Sequence, residues 1–334
     1  MKAAIFHEFG PPDVLGYEDV PEPVPGSGEV VVKVHAVTVN RTLDCLVREG
    51  HPTQNHRGVK PPHVLGVDPA GVIAAVGIGV TAPAVGARVA CQSRCPGGGM
   101  LGIKCWGGYA EYVKVCAEQA VPIPENLGFA EGAAVLRHGP MAHYLLFNLA
   151  RLKPRETVLV MGAAGGLGAT GIQICKNAGA TVICTAGADD RVQVGLDFGA
   201  DHGINYNKLD LTDAVMELTG GAGVDIVFEN ISNPATWPKA LASMKKYGRM
   251  VTAGAHGGGK VELDCAILYH RNLHIMGGTG NTWQNVADTM KLAAEGRLRA
   301  RIEKVLPLSR AAEAHRVIES GVPLGKIVLD PTLG

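Results

Sequence analysis

Three stretches carry residues whose types and spacing could do chemistry. In "VLVMGAAGGLGATG" (158–171) an apolar run breaks into glycines, giving Ala163-x-Gly165-x-x-Gly168. This varies the phosphate-binding turn G-x-G-x-x-G, with alanine in the first place. Gly165 would let backbone N–H groups approach a pyrophosphate, with Gly166 and Leu167 in the same turn. Gly168 would let the next helix lie close to its strand, and the helix N-terminus would face the phosphate charge. A tight strand-to-helix turn also wants glycine, so the motif takes its weight from its position. A second set is Arg41, Arg137 and His138, in "NRTLDCLVREG" (40–50) and "LRHGPMAHY" (136–144). An Arg or His there could hold a carboxylate or stabilise an oxyanion. The plain alternatives are salt bridges from Arg41 and Arg137 to Asp44 or Asp68, and a packed helical residue for His143. The third set is Cys91, Cys95 and Cys105 in "CQSRCPGGGMLGIKC" (91–105). Its C-x₃-C-x₉-C spacing lacks the C-x₂-C rhythm and is one ligand short of four, which argues against a structural zinc.

The elements around these residues fall into two styles. "GEVVVKVHAVTV" (28–39), "ARVACQ" and "GGYAEYVKV" are Val-rich and strand-like, with Gly and Pro between them. From Glu156 the chain alternates. "TVLVMGA", "ATVICTA", "HGINY", "VDIVFEN" and "RMVTAGA" read as strands. The segment after Gly168, "DDRVQVGLDFG", "LTDAVMELTG" and "ATWPKALASMKKYG" read as helices. Alternation of this kind predicts a parallel sheet with helices on both faces, and the nearly uniform apolarity of its strands fits burial. The glycine turn stands at the first strand of that run, where a dinucleotide would bind. An NAD site wants an acidic residue at the tip of the second strand. "TVICTAG" ends on Gly187 without one, and Arg191 follows, so NADP(H) is favoured over NAD(H). Arg191 and Tyr206 are the candidates to hold a 2′-phosphate. Arg191 could equally be a solvated helix residue.

The chain has 334 residues, which suggests two domains, and equal numbers of acidic and basic residues, 31 each. That balance argues against nucleic acid and acidic membrane surfaces as partners. The start "MKAAIFHEFG" has no apolar secretory run, and eight Cys without one suggest free thiols in the cytoplasm. The uncharged stretch from Thr157 to Cys175 is broken by glycines and reads as a turn in a soluble fold rather than a membrane span.

"PPHVLGVDPAGVIAAVG" (61–77), "GGYAEYVKV" (107–115), the glycine turn and "GADHGINY" (199–206) occur in that order. Together they resemble the medium-chain dehydrogenase/reductase superfamily over nearly the whole chain. The resemblance implies an α/β protein: a GroES-like β-rich catalytic domain plus a Rossmann doubly wound parallel-sheet domain, with the active site in the cleft. The expected boundaries are 1–125, completed by 265–334, and 126–264. It also implies a homodimer or homotetramer, with a sheet edge near "NLHIMGG" as one place for pairing. Near the nicotinamide it points to Asn230, Ala253, Gly254, Gly278 and Thr279.

Zinc members of the superfamily carry Gly-His-Glu where this chain has Gly66-Val67-Asp68. They carry cysteines where it has Arg41, three before Asp44, and Arg137. Valine cannot bind a metal and guanidiniums repel one, so no catalytic zinc is expected. Zinc-free relatives often reduce C=C bonds conjugated to a carbonyl, and some carry a Tyr where this chain has Leu46. The expectation is a zinc-independent, NADPH-dependent oxidoreductase, most like quinone or enone reductases. Its substrate would be a small molecule, anionic if both arginines face it. Two alternatives stay open: a metal-free alcohol or aldehyde dehydrogenase using Arg and His, and a non-catalytic NADP(H)-binding protein.

Overall fold

The computed structural model describes residues 1–51, 58–95 and 97–333. The chain falls into two units, Met1–Arg137 with Ala300–Gly334, and His138–Arg299.

The first unit is built on the strand Glu29–Thr38, whose Val30, Val32, Val34 and Val37 are buried. Alternation puts Val30, Val32 and Val34 on the covered side, and the register shift between Val34 and Ala36 lets Val37 follow them. The seven-stranded sheet runs Ile302–Pro307, Lys326–Asp330, Glu29–Thr38, Pro69–Val76, Arg88–Cys91, Ala120–Pro122, with Tyr112–Cys116 also paired to Glu29–Thr38. Strands 302–307 and 326–330 pair in parallel; the other pairs are antiparallel. A smaller antiparallel sheet places Lys2–Phe6 between Leu15–Asp19 and His63–Val64. Phe6, Leu65, Ile73, Leu101 and Tyr109 lie in one buried cluster between these elements.

The second unit holds six parallel strands in the order His202–Asn205, Thr181–Ala186, Thr157–Met161, Val224–Glu229, Met244–Thr252, His274–Gly277. Counted along the chain the order is 3-2-1-4-5-6, the doubly wound Rossmann arrangement. Val158, Leu159, Val160 and Met161 are fully buried, as a strand with neighbours on both edges and helices on both faces must be. The helices are punctuated by their ends. Asp210 caps Leu211–Leu218 by accepting from the Thr212 and Asp213 N–H groups. Thr282 and Asn285 close a capping box on Trp283–Ala294.

Residues 265–299 lie in the second unit, where His274–Gly277 extends the parallel sheet beyond Met244–Thr252. The chain passes from the first unit to the second between Arg137 and His138, inside the helix Phe129–His143. One expectation is corrected. The helix expected over 235–248 spans only Trp237–Ala242; the strand already starts at Met244 and contains a register shift against its partner.

Candidate functional site

In the second unit, strand Thr157–Met161 runs into Gly162, which has φ 79°, and helix Gly166–Asn177 begins at once with Gly165 as its N-cap. A Cβ at position 168 would stand 2.1 Å from the Gly162 carbonyl oxygen, so only glycine lets helix and turn approach this closely. Ala163 is fully buried, and its N–H and that of Gly162 go to the Thr185 carbonyl at 2.9 and 3.1 Å. The Gly165 N–H turns back to the Gly162 carbonyl at 3.0 Å. Ala163 and Gly165 therefore shape the turn. The N–H groups of Gly166, Leu167 and Gly168 open the helix with no side-chain cap on them, the arrangement that suits an anion. His138 belongs with this cradle: a Cβ on Gly166 would meet its Nε2 at 2.4 Å.

At the tip of the second strand Tyr206 and Asn207 pack closely on Gly187. A Cβ on Gly187 would stand 3.1 Å from both the Tyr206 hydroxyl and the Asn207 amide nitrogen. Burial raises the Tyr206 hydroxyl above its usual pKa, while the nearby Arg191 pulls against that rise. The nearest carboxylate, Asp189, is occupied. Asn205 Nδ2 donates to it at 2.7 Å and Lys208 Nζ at 2.5 Å, and both hold its pKa below the usual range. Lys208, two residues after Tyr206, is a cation that the sequence analysis missed at this tip.

The strand order reverses between Thr157–Met161 and Val224–Glu229, the switch point where open α/β sheets bind ligands. Asn230 sits there, buried. Its Nδ2 donates to the Met161 carbonyl at 3.0 Å, and its Oδ1 has no hydrogen-bond partner. A buried acceptor without a partner is costly, and a ligand N–H would satisfy it. Glu229 fixes the tip by accepting from Ile231 N, Ser232 N, Ser232 Oγ and Thr252 Oγ1. Burial raises its pKa against those bonds. A Cβ on Gly254 would stand 2.1 Å from the Asn230 carbonyl oxygen, so the Ala253-Gly254 turn also depends on glycine for its close approach. Gly278 N donates to the Thr252 carbonyl at 3.2 Å, and Thr279 follows it beyond the sheet edge. These residues and the cradle lie at the C-terminal ends of the parallel strands, and together they fit a dinucleotide.

In the first unit a different set converges. Asp44, in the turn Arg41–Cys45, is fully buried and accepts from Asn40 N at 2.7 Å, Asn40 Nδ2 at 3.2 Å and Gly66 N at 3.1 Å. Asp68 accepts from Thr38 Oγ1 at 2.6 Å and Asn40 Nδ2 at 3.3 Å. Lys326 Nζ donates to Asn40 Oδ1 at 2.9 Å. Arg137 reaches Asp68 at 4.0 Å, with its Nε buried and without a hydrogen-bond partner. Burial, and next the Asp68 carboxylate, push the Asp44 carboxyl up to about 7. Burial also lowers the Lys326 ammonium, and Asp68 and Asp44 oppose that. Arg41 is exposed, and among the described residues it forms no ion pair with Asp44 or Asp68. His143 is buried and stacked on Phe147, which is the packed-residue reading.

This cluster does not fit a zinc ion. Val67 is fully buried and aliphatic, and Arg137 and Lys326 bring cations to the carboxylates. Elsewhere, among the described residues, Cys45, His315 and Glu319 place donor atoms within 4.8 Å of one another. Arg48 bonds both His315 and Glu319 there, a guanidinium where a metal would have to sit. Cys91, Cys95 and Cys105 do not form such a group. No helix among the described residues is long and apolar enough to cross a membrane.

Residues 26–125 match the alcohol dehydrogenase GroES-like domain and residues 166–295 the zinc-binding dehydrogenase family. A 2-haloacrylate reductase from Burkholderia sp is 31% identical over 99% of this chain and 99% of its own. The solved structure of an NAD-dependent alcohol dehydrogenase superposes with a TM-score of 0.90 at 34% identity, over 99% of each chain. That of Escherichia coli quinone oxidoreductase complexed with NADPH gives 0.84 at 28%, over 99% of this chain and 100% of that one.

Proposed function

The chain belongs to the medium-chain dehydrogenase/reductase superfamily, in its quinone oxidoreductase-like branch, and is an NAD(P)H-dependent oxidoreductase; from there we propose that it reduces small carbonyl-conjugated alkenes or quinones with NADPH and without a catalytic metal. One observation carries the reading. Where zinc members place metal ligands, the first unit has buried Val67 and the guanidinium of Arg137, backed by Asp68. An arginine is a fixed cation with several donors, suited to a developing oxyanion or a substrate carboxylate.

Gly166, Leu167 and Gly168 would hold the diphosphate with their N–H groups, with His138 beside it. Arg191, Tyr206 and Lys208 would hold the 2′-phosphate. Asn230 Oδ1, with Ala253, Gly254, Gly278 and Thr279, would orient the carboxamide end. NADPH, when bound, would supply hydride from nicotinamide C4. Arg137 would offer its guanidinium to negative charge on the substrate carbonyl oxygen, and Asp68 would hold that guanidinium in place. Arg41, exposed at the start of its turn, serves as a second cation for an anionic substrate. The Burkholderia relative is named for a substrate that carries both a carboxylate and a conjugated double bond, which supports an anionic enoate. The free thiols support a cytoplasmic protein, and a homodimer or homotetramer is the proposed assembly.

The test is NADPH oxidation, with a chelator present, against a neutral enone, a 2-enoate and a simple aldehyde. Turnover of the first two, unaffected by chelator, is expected. Arg137→Ala should lower kcat/KM for the enoate about 10- to 100-fold, by loss of one charge-assisted pair of about 1.5–3 kcal/mol. Turnover of the aldehyde alone would favour the metal-free alcohol dehydrogenase, and NADPH binding without any turnover a non-catalytic role.

A further inference from the structure

The buried carboxylates of the first unit spend their acceptors on neutral groups. Asp44 accepts from Asn40 N, Asn40 Nδ2 and Gly66 N, and Asp68 from Thr38 Oγ1 and Asn40 Nδ2. Two cations stand beside them with donors to spare. The Lys326 ammonium donates to Asn40 Oδ1 at 2.9 Å, its one hydrogen bond among the described residues. An ammonium carries three donors, so two go unclaimed. The Arg137 guanidinium makes no hydrogen bond among the described residues, and its ion-pair partner Asp68 lies 4.0 Å from its Nε.

The strands set these groups in a row. Val328 lies opposite Thr38, and Val39 N donates to the Ile327 carbonyl at 2.9 Å. Side chains alternate along a strand, so Lys326 and Val328 share a face with Thr38 and Asn40. The Asn40 amide then joins both sides: its oxygen meets Lys326, and its nitrogen meets Asp68 Oδ2 at 3.3 Å. The same Asp68 oxygen faces Arg137. The row runs Lys326, Asn40, Asp68, Arg137, with a cation at each end.

We propose, on the enoate reading above, that Lys326 and Arg137 together bind the carboxylate of a short 2-enoate, one oxygen to each cation, and that Lys326 sets the preference for an acid over a neutral enone. Unclaimed N–H groups on cations drawn out of water are costly, and a carboxylate satisfies both ends at once. Burial lowers the Lys326 ammonium; Asp68 opposes that, and the Arg137 charge adds to it. An anion between the two cations relieves their repulsion. Arg41 differs in standing exposed, where water screens a charge and an ion pair contributes little. A neutral enone offers one carbonyl oxygen, which Arg137 can meet alone, and its binding leaves the ammonium as it was.

The experiment uses the full-length protein and two pairs of probes. Crotonate and cyclohexenone are compared in NADPH oxidation. Butyrate and butyramide, which have no double bond to reduce, are compared in NMR titrations of the ligand signals. Butyrate should bind at least about tenfold more tightly than butyramide, the worth of one charge-assisted pair. Lys326→Gln drops the charge and keeps a donor toward Asn40. It should weaken butyrate and raise KM for crotonate by a similar factor, while kcat/KM for cyclohexenone changes far less. Lys326→Arg should restore butyrate binding, and Lys326→Met serves in place of the glutamine variant if that one does not fold. Equal affinity of the wild-type protein for butyrate and butyramide would overturn the proposal, as would butyrate binding that survives the loss of the charge. A loss on cyclohexenone as large as that on crotonate would overturn it too, by making Lys326 a support of the fold alone. The butyrate titration needs no turnover, so a protein that oxidises NADPH with neither alkene refutes the reductase reading and leaves this test standing.

Discussion

Asp44 and Asp68 bring two carboxylates into one buried pocket, and the pocket answers with donors: Thr38, Asn40, the Gly66 N–H, Arg137 and Lys326. Asp44 has a folded value of about 7 against 3.8 in the unfolded chain. The native protein therefore keeps a proton that the unfolded chain has lost over that interval. Stability from this group is fully present below pH 3.8 and is lost as pH rises toward 7, at up to about 1.4 kcal/mol per pH unit. Asp68→Asn removes the second-largest cause of the rise, so the window should close at a lower pH than in the wild type. Urea unfolding from about pH 4 to 8, compared between the two proteins, isolates this from other titrating groups; coincident profiles would mean that Asp68 does not act on Asp44. The sequence pointed to Asp44, Asp68 and Arg137, because the family pattern marks those positions. It offered no sign of Lys326, which is 286 residues from the Asn40 it bonds. A contact that only the fold creates has no local signature.

At the scale of elements, the cradle was the most legible part, because a backbone that must pass within 2.1 Å of a would-be Cβ leaves glycine no substitute. Gly168→Ala should force the helix away from Gly162, costing about 2–4 kcal/mol, with dinucleotide binding lost along with it. Gly166→Ala is a subtler case, since its clash is with the His138 ring and not with backbone. The single variant should destabilise by about 1–2 kcal/mol, and in a His138→Ala background it should cost close to nothing. A coupling energy of about 1 kcal/mol or more, from a denaturant double-mutant cycle, tests that placement. Strict additivity would place the ring elsewhere. What the sequence could not reveal was the allegiance of residues 265–299. "TWQNVADTMKLAAEG" shows an amphipathic helix, but amphipathicity does not say which sheet a helix covers. The parallel pairing of His274–Gly277 with Met244–Thr252 decides it.

For the molecule as a whole, strand alternation and uniform strand apolarity made both sheet types legible, while the exchange point between units was not, since it falls inside the continuous helix Phe129–His143. Two units also mean that one melting temperature describes neither. The three tryptophans allow them to be read apart: Trp106 lies in the first unit, and Trp237 and Trp283 in the second. In a Trp106→Phe protein, emission follows the unit that carries the cradle. A ligand that binds only the folded form at about 100 times its Kd stabilises by about 2.7 kcal/mol. At equal concentrations NADPH should therefore raise the emission midpoint more than NADH does, because Arg191 and Lys208 bring positive charge near Tyr206 while Asp189, the carboxylate at this tip, is engaged by Lys208 and Asn205. Arg191→Ala should erase most of that difference and leave the NADH shift in place. If the preference survives in Arg191→Ala and disappears in Lys208→Ala, the phosphate rests on the lysine. Equal shifts by the two nucleotides in the unmutated protein would end the case for NADPH.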